Sequence, residues 1–232
     1  MSRVSFDRHA KFVGPSTFPY PLTIVGCGAV GSNVALIAAK MGVHKFVLYD
    51  NDIIEEGNLA NQAYDVEHVG QYKVEALAAV LKRFNPEVQV VIHNRFFEEE
   101  DGADLEGPLV IATDTMSSRQ TIYSAFTGNM LVDTVFEARL GFDFGEVNII
   151  DNCDPDALSN WKNGLLDDKD VPEGPCGLKI CTTLVMLISS YLVHSICEKY
   201  SAAAKEEEWQ YHEKTAFYLK NGLVVFNPKK RR

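Results

Sequence analysis

A Rossmann-type α/β fold, with a doubly wound and mostly parallel sheet ending in a C-terminal hairpin, is predicted by three observations. A short apolar run, Leu22-Thr-Ile-Val25, stops at the glycine loop Gly26-Cys-Gly-Ala-Val-Gly31. After a helix-prone stretch, Ser32 to Met41, a second apolar run spans His44 to Asp50, which is the layout of a βαβ unit. Beyond it strand-like and helix-like segments alternate, as they do when helices cover both faces of a parallel sheet.

The remaining elements follow in order. Tyr72 to Arg83 has helical periodicity and stops at Asn85-Pro86, a helix terminator. Val88 to Ile92 and Leu109 to Ala112 read as strands, and Ser117 to Phe126 as the helix after the second. Leu131 to Thr134 and Gly145 to Ile150 complete the strand set. Residues 151–177 have no periodicity and many Asp, Asn, Gly and Pro, so they are expected to form a long loop of the kind that is functional or mobile. The most apolar stretch, Leu178 to Cys197, is near membrane-span length but carries Lys179, His194 and several hydroxyls, which favours a buried core helix. Thr215 to Lys220 and Leu223 to Phe226 flank Asn221-Gly222, a type I′ hairpin signal. These boundaries divide the chain into a main domain at 1–200 and a helix and hairpin extension of it at 201–232.

Composition narrows the function. With 46% hydrophobic and 23% charged residues the chain has the balance of an ordinary globular protein. A formal charge of -10, from 32 acidic and 22 basic side chains, argues against a nucleic-acid surface. The basic end, Lys229-Lys230-Arg231-Arg232, is expected to be merely solvated. No signal-peptide profile and no membrane span are expected, and five irregularly spaced cysteines suit a reducing cytoplasm.

Gly26, Gly28 and Gly31 form G-x-G-x-x-G after a strand and at a helix start, where backbone amides and the helix dipole cradle phosphate. Asp50 closes the second strand, placed to accept hydrogen bonds from a ribose. A dinucleotide site, as in an NAD-dependent oxidoreductase, is the default reading of such a unit. It does not account for the residues that follow. Asp52, Asn58, Asn61, Gln62 and Lys73 form a polar cluster ending in a lysine that can neutralise phosphate. Asp114, after the Leu109–Ala112 strand, brings a carboxylate to the edge where open α/β sheets bind ligands. Carboxylate and phosphate together are a magnesium arrangement.

In their order and spacing, Gly26-x-Gly-x-x-Gly31, Asp50-x-Asp52, Asn58-Leu-x-x-Gln62, Val69-Gly-Gln-x-Lys73 and Asp114-x-x-x-x-Arg119 resemble the ThiF/MoeB/HesA family, relatives of ubiquitin-activating enzymes. The resemblance covers roughly residues 1–200. It implies ATP and Mg²⁺ as cofactors, adenylation of the C-terminal glycine of a ubiquitin-like or sulfur-carrier protein, and a homodimer. By the same resemblance Asp50 would hold the ribose, Lys73 the phosphates and Asp114 the metal, with Asn58 and Gln62 shaping the phosphate pocket. The family's motif runs Asn-Leu-x-Arg-Gln, and here Asn61 replaces its arginine. Arg8 sits where the family has an N-terminal arginine that reaches the partner subunit's site, and Arg139 is a second candidate for the missing charge. An activating-enzyme-like binding partner that lost catalysis with its arginine is the alternative.

Many family members bind zinc through two C-x-x-C pairs; this chain has none, so no zinc is expected. Cys27 and Cys197 read as buried small residues, and Cys181 as a core residue a turn inside the apolar helix. Cys176 closes the long loop before that helix, where a helix dipole favours thiolate. Its surroundings resemble the thioester-forming stretch of short, single-domain activating enzymes, which marks Cys176 as the candidate nucleophile.

Overall fold

The computed structural model describes residues 4–170 and 181–228. Its helices are α1 (Ala29–Lys40), α2 (Lys73–Phe84), α3 (Met116–Phe126), α4 (Pro155–Asn163) and α5 (Thr182–Ala204). Its strands are β1 (Leu22–Val25), β2 (Lys45–Tyr49), β3 (Gln89–His93), β4 (Leu109–Ile111), β5 (Thr134–Leu140), β6 (Phe144–Asp151), β7 (His212–Tyr218) and β8 (Leu223–Pro228). They form one sheet in the order β3-β2-β1-β4-β5-β6-β7-β8. The first five run parallel, and β6, β7 and β8 join antiparallel. From β1 the chain winds outward through β2 to β3 and then returns to β4 on the other side. The strand order reverses there, and a crevice opens at the carboxyl ends of β1 and β4.

Both faces of the central strands are buried, which is why they read as continuous apolar runs rather than alternating ones. Ile24, Leu48, Val110 and Phe136 face a core completed by α1, α2 and α5. Val25, Tyr49, Ile111 and Val135 face a second core completed by α3 and α4. The apolar C-terminal stretch is indeed a core helix: Leu184, Ile188 and Leu192 of α5 are fully buried in the first core, and the Ser189 hydroxyl lies 3.4 Å from the Val30 carbonyl of α1. Among the described residues no helix is long and apolar enough to cross a membrane.

Three boundaries differ from the sequence expectation, each for a local reason. The fifth strand begins at Thr134, where the expected strand ends. Asn129 holds Leu131 and Val132 in a turn through their amides, and the observed strand carries Glu137 and Arg139, charges that conceal a buried strand from any hydrophobic pattern. The aperiodic stretch 151–177 is not all loop, because it contains α4. Asp154 caps this helix by accepting from the Asp156 and Ala157 amides, and Pro155 starts it with a preset φ. The C-terminal hairpin exists, but Tyr218 pairs with Leu223 across a four-residue loop. Its first three residues, Leu219–Asn221, form a 3-10 turn, and only Gly222 takes the left-handed conformation, at φ 60°. The Leu219 amide is drawn to the Asp143 carbonyl at the β5–β6 turn, so a two-residue connection is ruled out. The hairpin joins the main sheet, since β7 pairs with β6 and carries it onward.

Asp154→Ala should destabilise the fold by about 0.5–2 kcal/mol through loss of the α4 cap, measured by urea unfolding; no change would mean that α4 is held by Trp161 packing alone.

Candidate functional site

The glycine loop lies between β1 and α1, and its three glycines are needed for different reasons. Gly26 has φ +94°, and a Cβ there would lie 2.7 Å from the Ala112 carbonyl oxygen. At Gly31 a Cβ would fall 1.8 Å from the Gly26 carbonyl oxygen, so packing alone demands glycine at both positions. Gly28 is the exception. A Cβ there meets nothing within 4 Å, and the residue caps α1 without a side-chain hydrogen bond. The opening at Gly28 faces the first turn of α1, whose amides have no intrahelical acceptor.

Around this opening the polar residues converge. Asp50 braces the loop, its Oδ2 accepting from the Cys27 amide at 2.6 Å and its Oδ1 from the Asp52 amide at 2.8 Å. Burial pushes its carboxyl above the ordinary carboxylate range, against the pull of the Asp52 amide, Lys73 and the Cys27 amide. Lys73, the first residue of α2, is buried and reaches Asp52 Oδ2 at 2.7 Å. A cavity of about 360 Å³ opens among Asn51, Asp52, Ile53, Glu55, Asn58 and Lys73. Asn58 Oδ1 accepts from the Glu55 amide at 3.0 Å, while Gln62 has a buried side-chain oxygen with no partner. Asn61 enters the architecture through its backbone: its carbonyl accepts from Asn33 Nδ2 at 2.9 Å.

Asn33 belongs to a set that sequence reasoning missed. Ser32 donates to the Gly28 carbonyl and accepts from the Ala63 amide, and the Tyr64 hydroxyl donates to the Cys27 carbonyl at 2.7 Å. These side chains splice the 58–64 segment onto the glycine loop. The available signal was two polar residues, Ser32 and Asn33, directly after Gly31 in an otherwise apolar helix.

Asp114 lies exposed just beyond β4, directly after the Ala112–Thr113 peptide against which Gly26 packs. Beside it, Asp168 accepts from the Met116 amide at 2.5 Å and from the Ser117 amide at the start of α3, a placement unforeseen from sequence. Arg139 stands on β5 rather than after a strand, with Nε 2.6 Å from Glu137 Oε1 and Nη1 3.1 Å from the Gly164 carbonyl. Its charge is committed there rather than to the glycine loop. Arg8 is exposed in the N-terminal turns, in a segment whose Phe12 ring meets His194 at a tilt and whose Gly14 packs on Gly42 beyond the far end of α1. It is not brought to the glycine loop of its own chain.

The cysteines part company. Cys27 and Cys197 are buried as expected, and burial holds the Cys27 thiol well above its usual value and pushes Cys197 to about 12. Cys176 lies outside the described residues. Cys181 corrects the sequence reading: it is the N-cap of α5 and half-exposed, not a core residue within the helix. Hydrogen bonds from the Thr183 side chain and from the Thr183 and Leu184 amides pull its thiol below the usual range. Thr182 donates to the Ala60 carbonyl at 3.0 Å, which ties this helix start to the 58–64 segment.

A glycine loop, an acidic strand end, a lysine at a helix start and an acidic β4 end thus share one sheet edge, and residues 20–207 match the ThiF family. The chain belongs to the ThiF family. Among relatives, ubiquitin-like modifier-activating enzyme 5 of Caenorhabditis briggsae is 36% identical over 84 residues, 36% of this chain and 19% of that protein. Adenylyltransferase and sulfurtransferase MOCS3 of Mus musculus is 34% identical over 101 residues, 43% of this chain and 22% of that one. The chain therefore spans about a fifth of the length of these relatives. E. coli MccB, solved with ATP, has the same fold at TM-score 0.67 and 15% identity, over 92% of this chain and 64% of that one.

Gly31→Ala should destabilise this ThiF-family fold by at least about 2 kcal/mol through backbone overlap, whereas Gly28→Val should cost under about 1 kcal/mol; equal midpoints in urea would contradict the division of roles among the glycines. Alkylation with iodoacetamide, read by peptide mapping, should show Cys181 reacting half-maximally below pH 9, its depressed thiol being ionised early. Cys27 and Cys197 should stay protected up to pH 10, and the opposite order would refute the placement of Cys181.

Proposed function

We propose that the chain is an ATP-dependent adenylyltransferase that activates the C-terminal glycine of a ubiquitin-like or sulfur-carrier protein. Gly28 carries this reading: it is a glycine that packing does not require, at a helix start whose loop is braced by Asp50 on the sheet edge shared with Lys73 and Asp114. The relatives' names, one for activating a ubiquitin-like modifier and one for adenylyl and sulfur transfer, and the ATP of the MccB structure support it.

In the reaction the carrier's carboxylate attacks the α-phosphorus of ATP. A carboxyl–phosphorus bond forms, the bond to the β-phosphate breaks, and pyrophosphate leaves. The first-turn amides of α1 would hold phosphate through the opening at Gly28. Asp50 keeps lone pairs beyond those given to the Cys27 and Asp52 amides, enough to accept from a ribose. Lys73 would share its charge between Asp52 and the phosphates, and Gln62, its amide turned over, would donate from the buried end that now lacks a partner. The exposed Asp114 carboxylate, phosphate oxygens and water are the donor set that suits Mg²⁺, which would neutralise charge on the departing pyrophosphate.

Asn61 leaves this pocket without the family's arginine. In a homodimer Arg8 of a second copy would supply the charge from its exposed position, since Arg139 is committed to Glu137. Cys176 would then take the acyl group as a thioester, its thiolate attacking the acyl carbon and releasing AMP. A catalytically weakened partner of an active enzyme is the second reading, favoured by Asn61 alone.

ATP–pyrophosphate exchange with a glycine-terminated carrier protein tests the assignment. Asp114→Asn should lower exchange by roughly 10²–10³-fold, and Gly28→Val should abolish ATP binding in calorimetry. Cys176→Ala should keep exchange but lose a reductant-sensitive carrier adduct by intact mass. Exchange that is absent from wild type, with ATP still bound, would favour the weakened partner; ATP binding unchanged in Gly28→Val would sink both.

A further inference from the structure

Arg119 is buried one turn into α3, and its guanidinium turns back toward the start of the helix instead of leaving the protein. Its Nη2 donates to the Thr113 carbonyl at 2.5 Å and its Nη1 to the Thr115 carbonyl at 3.1 Å. Those are the carbonyls of the two residues on either side of Asp114. The same Nη2 lies 3.4 Å from the Ala138 carbonyl of β5, so the loop is fastened to the neighbouring strand as well. The positive charge is balanced by Glu137, wholly buried, whose Oε1 is 2.8 Å from Arg119 Nε in an ion pair poorly aligned as a hydrogen bond. Glu137 does not depend on Arg119, because Arg139 Nε at 2.6 Å, Asn148 Nδ2 at 2.7 Å and Trp161 Nε1 at 3.1 Å also donate to it.

Burying a guanidinium is a poor way to gain stability, since desolvation consumes most of the attraction within such a pair. An apolar side chain would seat α3 on the sheet at least as well. What an apolar side chain cannot do is grip two carbonyls on either side of one residue with a rigid planar fork, and neither can a lysine. The gripped segment is also the seat of the glycine loop, because a Cβ on Gly26 would lie 2.7 Å from the Ala112 carbonyl oxygen and 3.0 Å from the Thr113 amide nitrogen. One fork therefore sets Asp114 relative to the glycine loop at Gly26.

We propose that Arg119 is a positioning residue that fixes the Asp114 carboxylate in register with the glycine loop. The inference rests on the reading of Asp114 as the ligand of the nucleotide's divalent cation. Partners that orient a metal ligand typically change metal affinity by roughly 10–100-fold when removed.

The test uses Arg119→Lys and Arg119→Met, with Glu137→Gln as a stability control that leaves the fork on its carbonyls. Two measurements are made on the full chain: Mn²⁺ affinity in the presence of ATP by electron paramagnetic resonance, and amide hydrogen exchange of residues 114–118 without ligand. Both Arg119 variants should bind Mn²⁺ about tenfold more weakly and exchange faster at 114–118, with metal-free ATP affinity nearly unchanged. Glu137→Gln should lose thermal stability but keep the Mn²⁺ affinity of wild type. Metal affinity that merely tracks melting temperature across all three variants would overturn the proposal, as would wild-type exchange in Arg119→Lys. If Arg119→Met does not fold, Arg119→Lys alone decides. Should wild type bind no Mn²⁺ with ATP, the reading of Asp114 is what fails, and hydrogen exchange still reports whether Arg119 fixes the loop.

Discussion

The backbone of Gly26 rests directly on the Ala112–Thr113 peptide, with no space for a Cβ between them. That contact joins the end of β1 to the end of β4, the two strands from which the sheet winds in opposite directions. The crevice at such a reversal normally comes from crossovers leaving on opposite faces. Here its width is set by this approach. Asp50 can brace the Cys27 amide because the loop is held down on the β4 side, and Asp114 follows directly on the peptide that Gly26 holds in place. Gly31 repeats the constraint one turn on, where the helix crosses its own loop at a distance only glycine allows.

Behind this contact stands a buried acid. Glu137 collects donors from α3, β5, β6 and α4, which is to say from Arg119, Arg139, Asn148 and Trp161. Such a hub contributes little net stability, but once formed it admits few alternative arrangements of the elements around it. It sits where the parallel part of the sheet meets the antiparallel part, since Glu137 on β5 is directly opposite Asn148 on β6. Arg139 extends it to Glu146, which is paired in turn with Lys214 on β7. The polar chain thus runs from the Asp114 loop into the strands that the C-terminal hairpin adds.

The helix α5 ties the other side together. It packs along α1 with its start reaching the Ala60 carbonyl and its end reaching Thr134 through Lys199 Nζ at 2.6 Å. A single apolar helix thereby touches the segment beside the glycine loop and the start of β5. The half-exposed Cys181 thiol at its head is a consequence of that placement: the cap sits at the rim of the core, beside the segment that Thr182 ties down.

The linear order of residues was enough for the βαβ unit, the doubly wound class, the core role of α5 and the family, because each depends on apolar runs, glycines and caps that lie close together in the chain. The same held for Gly26, Gly28, Gly31, Asp50, Lys73 and Asp114 as a set, since the spacing of strand ends delivers them to one edge. Tertiary structure alone decided the rest. β5 escaped its pattern because Glu137 is buried among partners, half-buried Arg139 on its own strand and Asn148 on the next, and pairing across strands is invisible in a single run of residues. The motif Asp114-x-x-x-x-Arg119 marked Arg119 but not its task, which shows only when its fork is seen closing on Thr113 and Thr115, and Ser32, Asn33 and Tyr64 matter only through contacts up to 37 residues away. Periodicity reports which face is apolar; it carries no information on which buried charge meets which, because that is settled by elements far apart in the chain arriving at the same place.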